Sequence, residues 1–169
     1  MSCKQIPNIL TFLNLLCGVL SIISTYNGEH HLSAALILVS SLFDCVDGKL
    51  ACKLNAVSHF GKELDSLSDL VSFGVAPAIL VYSACLKDLG LIGLVFALTY
   101  IMCGAFRLAR FNVKSHASHF TGLPIPIAGA TIATVRLCCH TVPEWVFPVL
   151  VVVLSVLMVS KVRFPSIKV

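Results

Sequence analysis

Six apolar stretches long enough to cross a bilayer run along this chain, separated by short polar connections. They are Ile6–Tyr26, Leu32–Lys53, Lys62–Cys85, Leu89–Phe111, Leu123–Cys139 and Val146–Lys161. A membrane helix needs about 20 mostly apolar residues. The connections carry residues that break helices: Asn27-Gly28, Lys87-Asp88 and Thr141-Val142-Pro143. This pattern predicts an all-α membrane protein, a bundle of six transmembrane helices forming a single domain over residues 1–169. No internal repeat interrupts it, and the first apolar run reads as a span rather than a removable leader.

Composition excludes a soluble alternative. The 169 residues are 57% hydrophobic and 12% charged, with a mean hydropathy of +0.95. A soluble domain carries about 25% charged residues, so lipid must cover much of this surface. The eight cysteines form no CxxC pair and mostly lie inside apolar runs, where they read as small buried hydrophobes. A disulfide framework belongs to small secreted domains.

The net charge of +4 matters less than its distribution. Lys4, Lys49, Lys53, Lys62, Arg107, Arg110, Lys114, Lys161, Arg163 and Lys168 fall on one side of the predicted bundle, ten of the twelve basic residues. Lys87 falls on the other side, and Arg136 lies near it. The positive-inside rule then places both termini and the loops after the second and fourth spans in the cytoplasm. The basic C-terminal run either rests on anionic headgroups or is solvated. No basic patch is interleaved with aromatics, so nucleic-acid binding is not expected. The histidines show no metal-site pattern, and Trp145 fits an interfacial anchor.

Four of the five aspartates crowd into one stretch, DCVDGKLACKLNAVSHFGKELDSLSD. Asp44 and Asp47 are three apart near the end of the second span. Asp65 and Asp69 are four apart near the start of the third. Those spacings put each pair on one helix face, and the short connection makes the two helices antiparallel neighbours. The pairs then face each other across a groove. Clustered, partly buried carboxylates repel one another and lose solvation. A hard divalent cation resolves this, with Mg²⁺ the default and Mn²⁺ or Ca²⁺ as other occupants. Gly48, Ala51 and Gly61 keep the same elements small, either for helix packing or for approach of a phosphate-bearing ligand.

These residues resemble the signature of the CDP-alcohol phosphatidyltransferase family, D-x2-D-G-x2-A-R-x8-G-x3-D-x3-D. Asp44, Asp47, Gly48, Ala51, Gly61, Asp65 and Asp69 stand at the matching positions, and Cys52 stands where the pattern has arginine. Lys53 follows directly and is the candidate to supply that charge. The opening IPNILTFLN resembles the family's N-terminal segment. ELDSLSDLVSFGVAP, RLARFNV and FTGLPIP resemble its serine-using bacterial branch, and the D-P-x-A-D-K ending of glycerophosphate-using members is absent.

The resemblance implies a homodimeric enzyme in the cell membrane, with its active site facing the cytoplasm. It would transfer a phosphatidyl group from CDP-diacylglycerol to the hydroxyl of L-serine and release CMP. Two ions, Mg²⁺ or Mn²⁺, would be held by Asp44, Asp47, Asp65 and Asp69, with Asp69 also the general base. Asn8, Thr11, Gly48, Ala51, Lys53 and Gly61 would meet the CDP-diacylglycerol. Arg107, Arg110 and Asn112 would meet serine or phosphate; the alternative for the arginines is a plain positive anchor at a span end. Two other readings stand beside this one. One is a sister transferase using glycerol 3-phosphate or inositol phosphate. The other is a cation transporter that uses the aspartates as its ion site.

Overall fold

A computed structural model describes residues 6–53, 58–113, 122–138, 143 and 145–160, with 6–7 and 51–53 described as backbone only. Among these residues the chain forms six helical bodies: α1 (Ile6–Tyr26), α2 (His30–Lys53), α3 (His59–Leu89), α4 (Leu91–Val113), α5 (Ile125–Cys138) and α6 (Val146–Val159). The first four are long and apolar enough to span a membrane. The last two are apolar and 14 residues each, about 21 Å at 1.5 Å per residue.

The bundle interior combines an apolar core, including Ile37, Phe73, Leu80, Ile125, Ile132 and Met158, with many buried polar side chains, and its outer surface is apolar. Thr11, Asn14, Ser21, Thr25, Ser33, Ser40, Ser68 and Ser72 are buried, whereas Phe12, Leu16, Ile23, Leu42, Met102 and Val156 are exposed. Lipid weakens the hydrophobic drive between helices, so small and hydroxyl side chains make part of the contacts beside the apolar core. The α1–α2 hairpin shows this directly. The Ser33 hydroxyl lies 2.8 Å from that of Ser21 and 2.7 Å from that of Thr25. Gly28, at φ +82°, ends α1. There Gly28 N–H donates to the Thr25 carbonyl at 3.0 Å and Glu29 N–H to that of Ser24 at 2.9 Å, the two bonds of a Schellman close.

α3 is not uniform. An α-helical start, His59–Asp69, passes into π-helical turns at Leu70–Val75 and Tyr82–Leu86. Pro77 accounts for part of this. Its ring nitrogen cannot donate to the carbonyl of Phe73, four residues earlier. That carbonyl accepts from the fully buried Tyr100 hydroxyl of α4 at 3.0 Å instead. A π turn is wider than an α turn, and its neighbours are small. A Cβ on Gly18 of α1 would sit 2.8 Å from Ser72 Cα, and one on Gly129 of α5 would sit 2.9 Å from Phe73 Cα. Tyr100→Phe keeps the ring and strands the Phe73 carbonyl, so it is expected to destabilise the protein by about 1–3 kcal/mol. Thermal unfolding in detergent checks this.

The predicted spans match these bodies with corrections at their ends. α2 begins at His30 rather than Leu32. α3 runs from His59 to Leu89 rather than Lys62 to Cys85, because Ser58 caps it by accepting from Gly61 N–H at 3.0 Å. α4 begins after Gly90, whose φ of +60° makes the turn. The cysteines also differ from expectation. Of the five described, only Cys17 is buried, while Cys45 and Cys138 are exposed; all five are free thiols.

Candidate functional site

The hairpin formed by α2 and α3 brings the two aspartate pairs together, as their spacing predicts. Carboxylate oxygens of Asp44, Asp47 and Asp65 all lie within 4.8 Å of one another. Asp69 lies alongside Asp44 and is buried, as is Asp47. Such a cluster suits a cation whose preferred donors are hard oxygens. One observation bears on the fit: Asp65 Oδ1 is buried and makes no hydrogen bond. A carboxylate oxygen left so inside a protein is costly unless something positive meets it. Asp44, Asp47 and Asp65 therefore fit a divalent ion, with Asp69 at its edge.

α1 sets the orientation of the two buried acids. Thr11 Oγ1 donates to Asp47 Oδ2 at 3.1 Å, and Asn14 Nδ2 donates to Asp69 Oδ1 at 3.3 Å. Thr11 and Asn14 are three residues apart and so share a face. α3 answers with two hydroxyls four apart. Ser68 donates to the Thr11 carbonyl at 2.9 Å and Ser72 to the Asn14 carbonyl at 3.0 Å. α1 and α3 are thereby stitched in register, and each buried acid is held by one side chain of α1. Sequence reasoning named Thr11 for contact with a nucleotide and missed Asn14, Ser68 and Ser72. The available signal was a polar residue one helical turn from Thr11 inside an apolar run.

The other predicted site residues separate into groups. Asn8 sits against Gly61, where an added Cβ would come 3.1 Å from Asn8 Oδ1. Gly61 is thus a packing glycine at the start of α3. Gly48 differs: a Cβ there would meet nothing within 4 Å, so packing against the described residues does not require it. Among the described residues nothing fills the space a side chain at Gly48 would take. Ala51 and Lys53 lie in the last turn of α2, and their side chains fall outside the described residues, as does that of Cys52.

Arg107 is 9% exposed and within electrostatic reach of Asp69 and Asp44. Arg110, three residues on, points elsewhere. It donates to the Val159 carbonyl at 3.1 Å and to that of Ser160 at 3.4 Å, tying α4 to the end of α6. Asn112 Nδ2 donates to Ser66 Oγ at 3.0 Å and to Glu63 Oε2 at 3.3 Å, so it joins α4 to α3. Of the three residues predicted to meet serine or phosphate, the structure brings Arg107 to the acids.

Next to the cluster a groove of about 590 Å³ opens between α2 and α5, lined by Ser41, Asp44, Cys45, Pro124, Ile127 and Thr131 among others. Its wall is largely apolar, and Asp44 is among the residues that line it. A ligand with an apolar body and a charged head fits such a shape.

Comparisons with known proteins agree with this arrangement. The family model described as CDP-alcohol phosphatidyltransferase matches residues 4–159. The CDP-diacylglycerol–serine O-phosphatidyltransferase of Bacillus subtilis (strain 168) is 42% identical over 170 aligned positions, covering 98% of this chain and 92% of the relative. The archaetidylserine synthase of Methanothermobacter thermautotrophicus is 40% identical, covering 96% of this chain and 70% of the relative. A CDP-diacylglycerol–serine O-phosphatidyltransferase of Methanocaldococcus jannaschii is 41% identical, covering 95% and 74%. With four acids gathered by α2 and α3, a family model that matches residues 4–159 and relatives that align with nearly all of this chain, this chain belongs to the CDP-alcohol phosphatidyltransferase family.

Proposed function

We propose that this protein makes phosphatidylserine, transferring the phosphatidyl group of CDP-diacylglycerol to the hydroxyl of L-serine with release of CMP. The observation that carries the reading is the cluster of Asp44, Asp47 and Asp65 with Asp69 beside it, in a chain that aligns over nearly all of its own length with relatives bearing serine phosphatidyltransferase names.

Asp44, Asp47 and Asp65 would hold the divalent metal, two ions of Mg²⁺ or Mn²⁺ in this reading, and Asp69 would share in the set. When bound, the metal supplies positive charge to the donor's diphosphate and to the departing CMP. The chain's own residues do the rest. Asp69 accepts the proton of the serine hydroxyl, a poor nucleophile without a base. The serine oxygen bonds to the phosphorus that carries diacylglycerol, and the bond from that phosphorus to CMP breaks. Asn14 keeps Asp69 turned toward its task, and Thr11 does the same for Asp47. Arg107 offers a guanidinium suited to carboxylate or phosphate. Gly48 leaves room for the donor beside Asp47, with Asn8, Ala51, Lys53 and Gly61 around the nucleotide. Asn112 and Arg110 brace this end of the bundle.

The acids lie toward the end of α2 and the start of α3, so the headgroup chemistry sits near one membrane face while acyl chains stay in lipid. The bias of Lys and Arg supports a cytoplasmic placement of that face and of both termini. The resemblance supports a homodimer in the cell membrane.

The acceptor is tested with membranes from cells expressing the protein, supplied with CDP-diacylglycerol and labelled L-serine, glycerol 3-phosphate or inositol phosphate. Label is expected in the lipid fraction from serine alone. Label from either other alcohol would keep the chemistry and overturn the acceptor.

A further inference from the structure

We propose that Arg136 and His30 form a phosphate-binding site at the membrane face opposite the aspartates, and that it takes the phosphodiester of a bilayer lipid. The site stands apart from the transfer reaction proposed above.

The fold brings the two residues together from distant parts of the chain. His30 opens α2, and Asp44 follows on the same helix about 21 Å further along, at 1.5 Å per residue. α5 runs the other way. Pro124, just before its start, lines the groove that Asp44 also lines, and Arg136 lies in its last turn. The two helix ends meet away from the acids, where His30 is within electrostatic reach of both Arg136 and His31. The α1–α2 turn closes this end of the bundle. Its buried hydroxyls already bond to one another, Ser33 with Ser21 and with Thr25.

Arg136 and His30 each keep an unmet hydrogen-bonding group. Arg136 Nε and His30 Nδ1 are buried, and neither has a hydrogen-bond partner among the described residues. Polar atoms left so are costly. One anion held between them removes both costs. A guanidinium only donates, and imidazole Nδ1 donates when it carries the ring proton. Two phosphate oxygens match the fork of Nε and Nη, and a third takes the imidazole. Both residues are half-buried as a whole, so a ligand at the membrane surface is within their reach.

Three features select a lipid phosphate. The first is depth. α6 begins at this face, and Trp145 at its start is 68% exposed, as suits an aromatic at headgroup level. The second is a path for the tail. The groove between α2 and α5 follows α5 from Pro124 to Val135, the residue before Arg136. An acyl chain hanging from a phosphate at Arg136 has that largely apolar wall to lie on. The third is topology. Ten of the twelve basic residues gather on the side of the acids, so the positive-inside rule gives no reason for an arginine here.

The test measures equilibrium binding of dioctanoyl phosphatidylglycerol to purified full-length protein in detergent, with no serine, CDP-diacylglycerol or metal present. Inorganic phosphate and dioctanoylglycerol, which lacks the phosphate, are run beside it. Arg136→Gln is expected to weaken the phospholipid roughly ten-fold, the scale of one charge-assisted contact. It should also remove the rise in melting temperature that the phospholipid gives wild type. Arg136→Lys keeps the charge and loses the fork, so its affinity should fall between the two. His30→Ala should weaken binding, and His30→Asn, whose amide nitrogen stands in for Nδ1, should restore it. Inorganic phosphate bound as tightly as the phospholipid, with the same loss in Arg136→Gln, would keep the anion site and overturn the lipid as its source. Phospholipid binding that is unchanged in Arg136→Gln, or matched by dioctanoylglycerol, would overturn the proposal. Should Arg136→Gln fail to fold, Arg136→Lys and His30→Ala decide by the same affinities.

Discussion

Asp69→Asn is expected to lower the rate of CMP release by about 10²- to 10⁴-fold, the span over which a positioned general base contributes. The substitution is nearly isosteric. It keeps an oxygen to accept the Asn14 amide, which donates to Asp69 Oδ1 at 3.3 Å, so the α1–α3 contact survives. At saturating metal, which offsets the loss of its charge from the metal set, what the substitution removes is the capacity to take a proton. The loss should therefore appear in kcat, with KM for CDP-diacylglycerol little changed. The melting temperature separates this from misfolding. A variant that melts like wild type and turns over within a few-fold of it would remove Asp69 from the base role.

Asp65→Asn should move activity and stability in opposite directions. Asp44, Asp47 and Asp65 place carboxylate oxygens within 4.8 Å of one another, and Asp65 Oδ1 is buried with no hydrogen-bond partner among the described residues. Such like charges destabilise the fold that holds them, a strain that functional sites keep for their chemistry. Removing one charge is expected to raise the melting temperature of metal-free protein by roughly 2–4 °C, the effect of about 1 kcal/mol in a chain of this size. The same change should drop activity to background and shrink the stabilisation seen on adding Mn²⁺ or Mg²⁺, because ligand binding stabilises only to the extent of its affinity. A variant that loses metal-free stability would show the carboxylate to be structural.

Much of this architecture was legible in the sequence, for reasons specific to its parts. The α1 limits at Ile6 and Tyr26 follow from an uninterrupted apolar run closed by Asn27-Gly28. The facing of Asp44 and Asp47 on Asp65 and Asp69 follows from helical spacing and a short connection. The π-helical turns of α3 were not legible, because they depend on what surrounds them. Pro77 marks the region, but only the Tyr100 hydroxyl and the closeness of Gly18 and Gly129 explain how a wider turn is accommodated. Arg107 and Arg110 look equivalent on a helical projection. Only the packing of α6 on α4 separates them, sending Arg110 to the Val159 and Ser160 carbonyls. Asn14 escaped notice because a single polar residue in an apolar span carries no pattern by itself. Its partner, Asp69, is 55 residues away.

The most direct measurement is CMP release from CDP-diacylglycerol by the purified full-length protein with L-serine, before and after metal removal by a chelator and then on restoring Mn²⁺ or Mg²⁺. The account predicts release that requires serine, stops with the chelator and returns with metal. Serine-dependent release that persists through complete chelation would contradict the role assigned to Asp44, Asp47 and Asp65. No release under any of these conditions, from protein shown to be folded, would contradict the assigned activity itself.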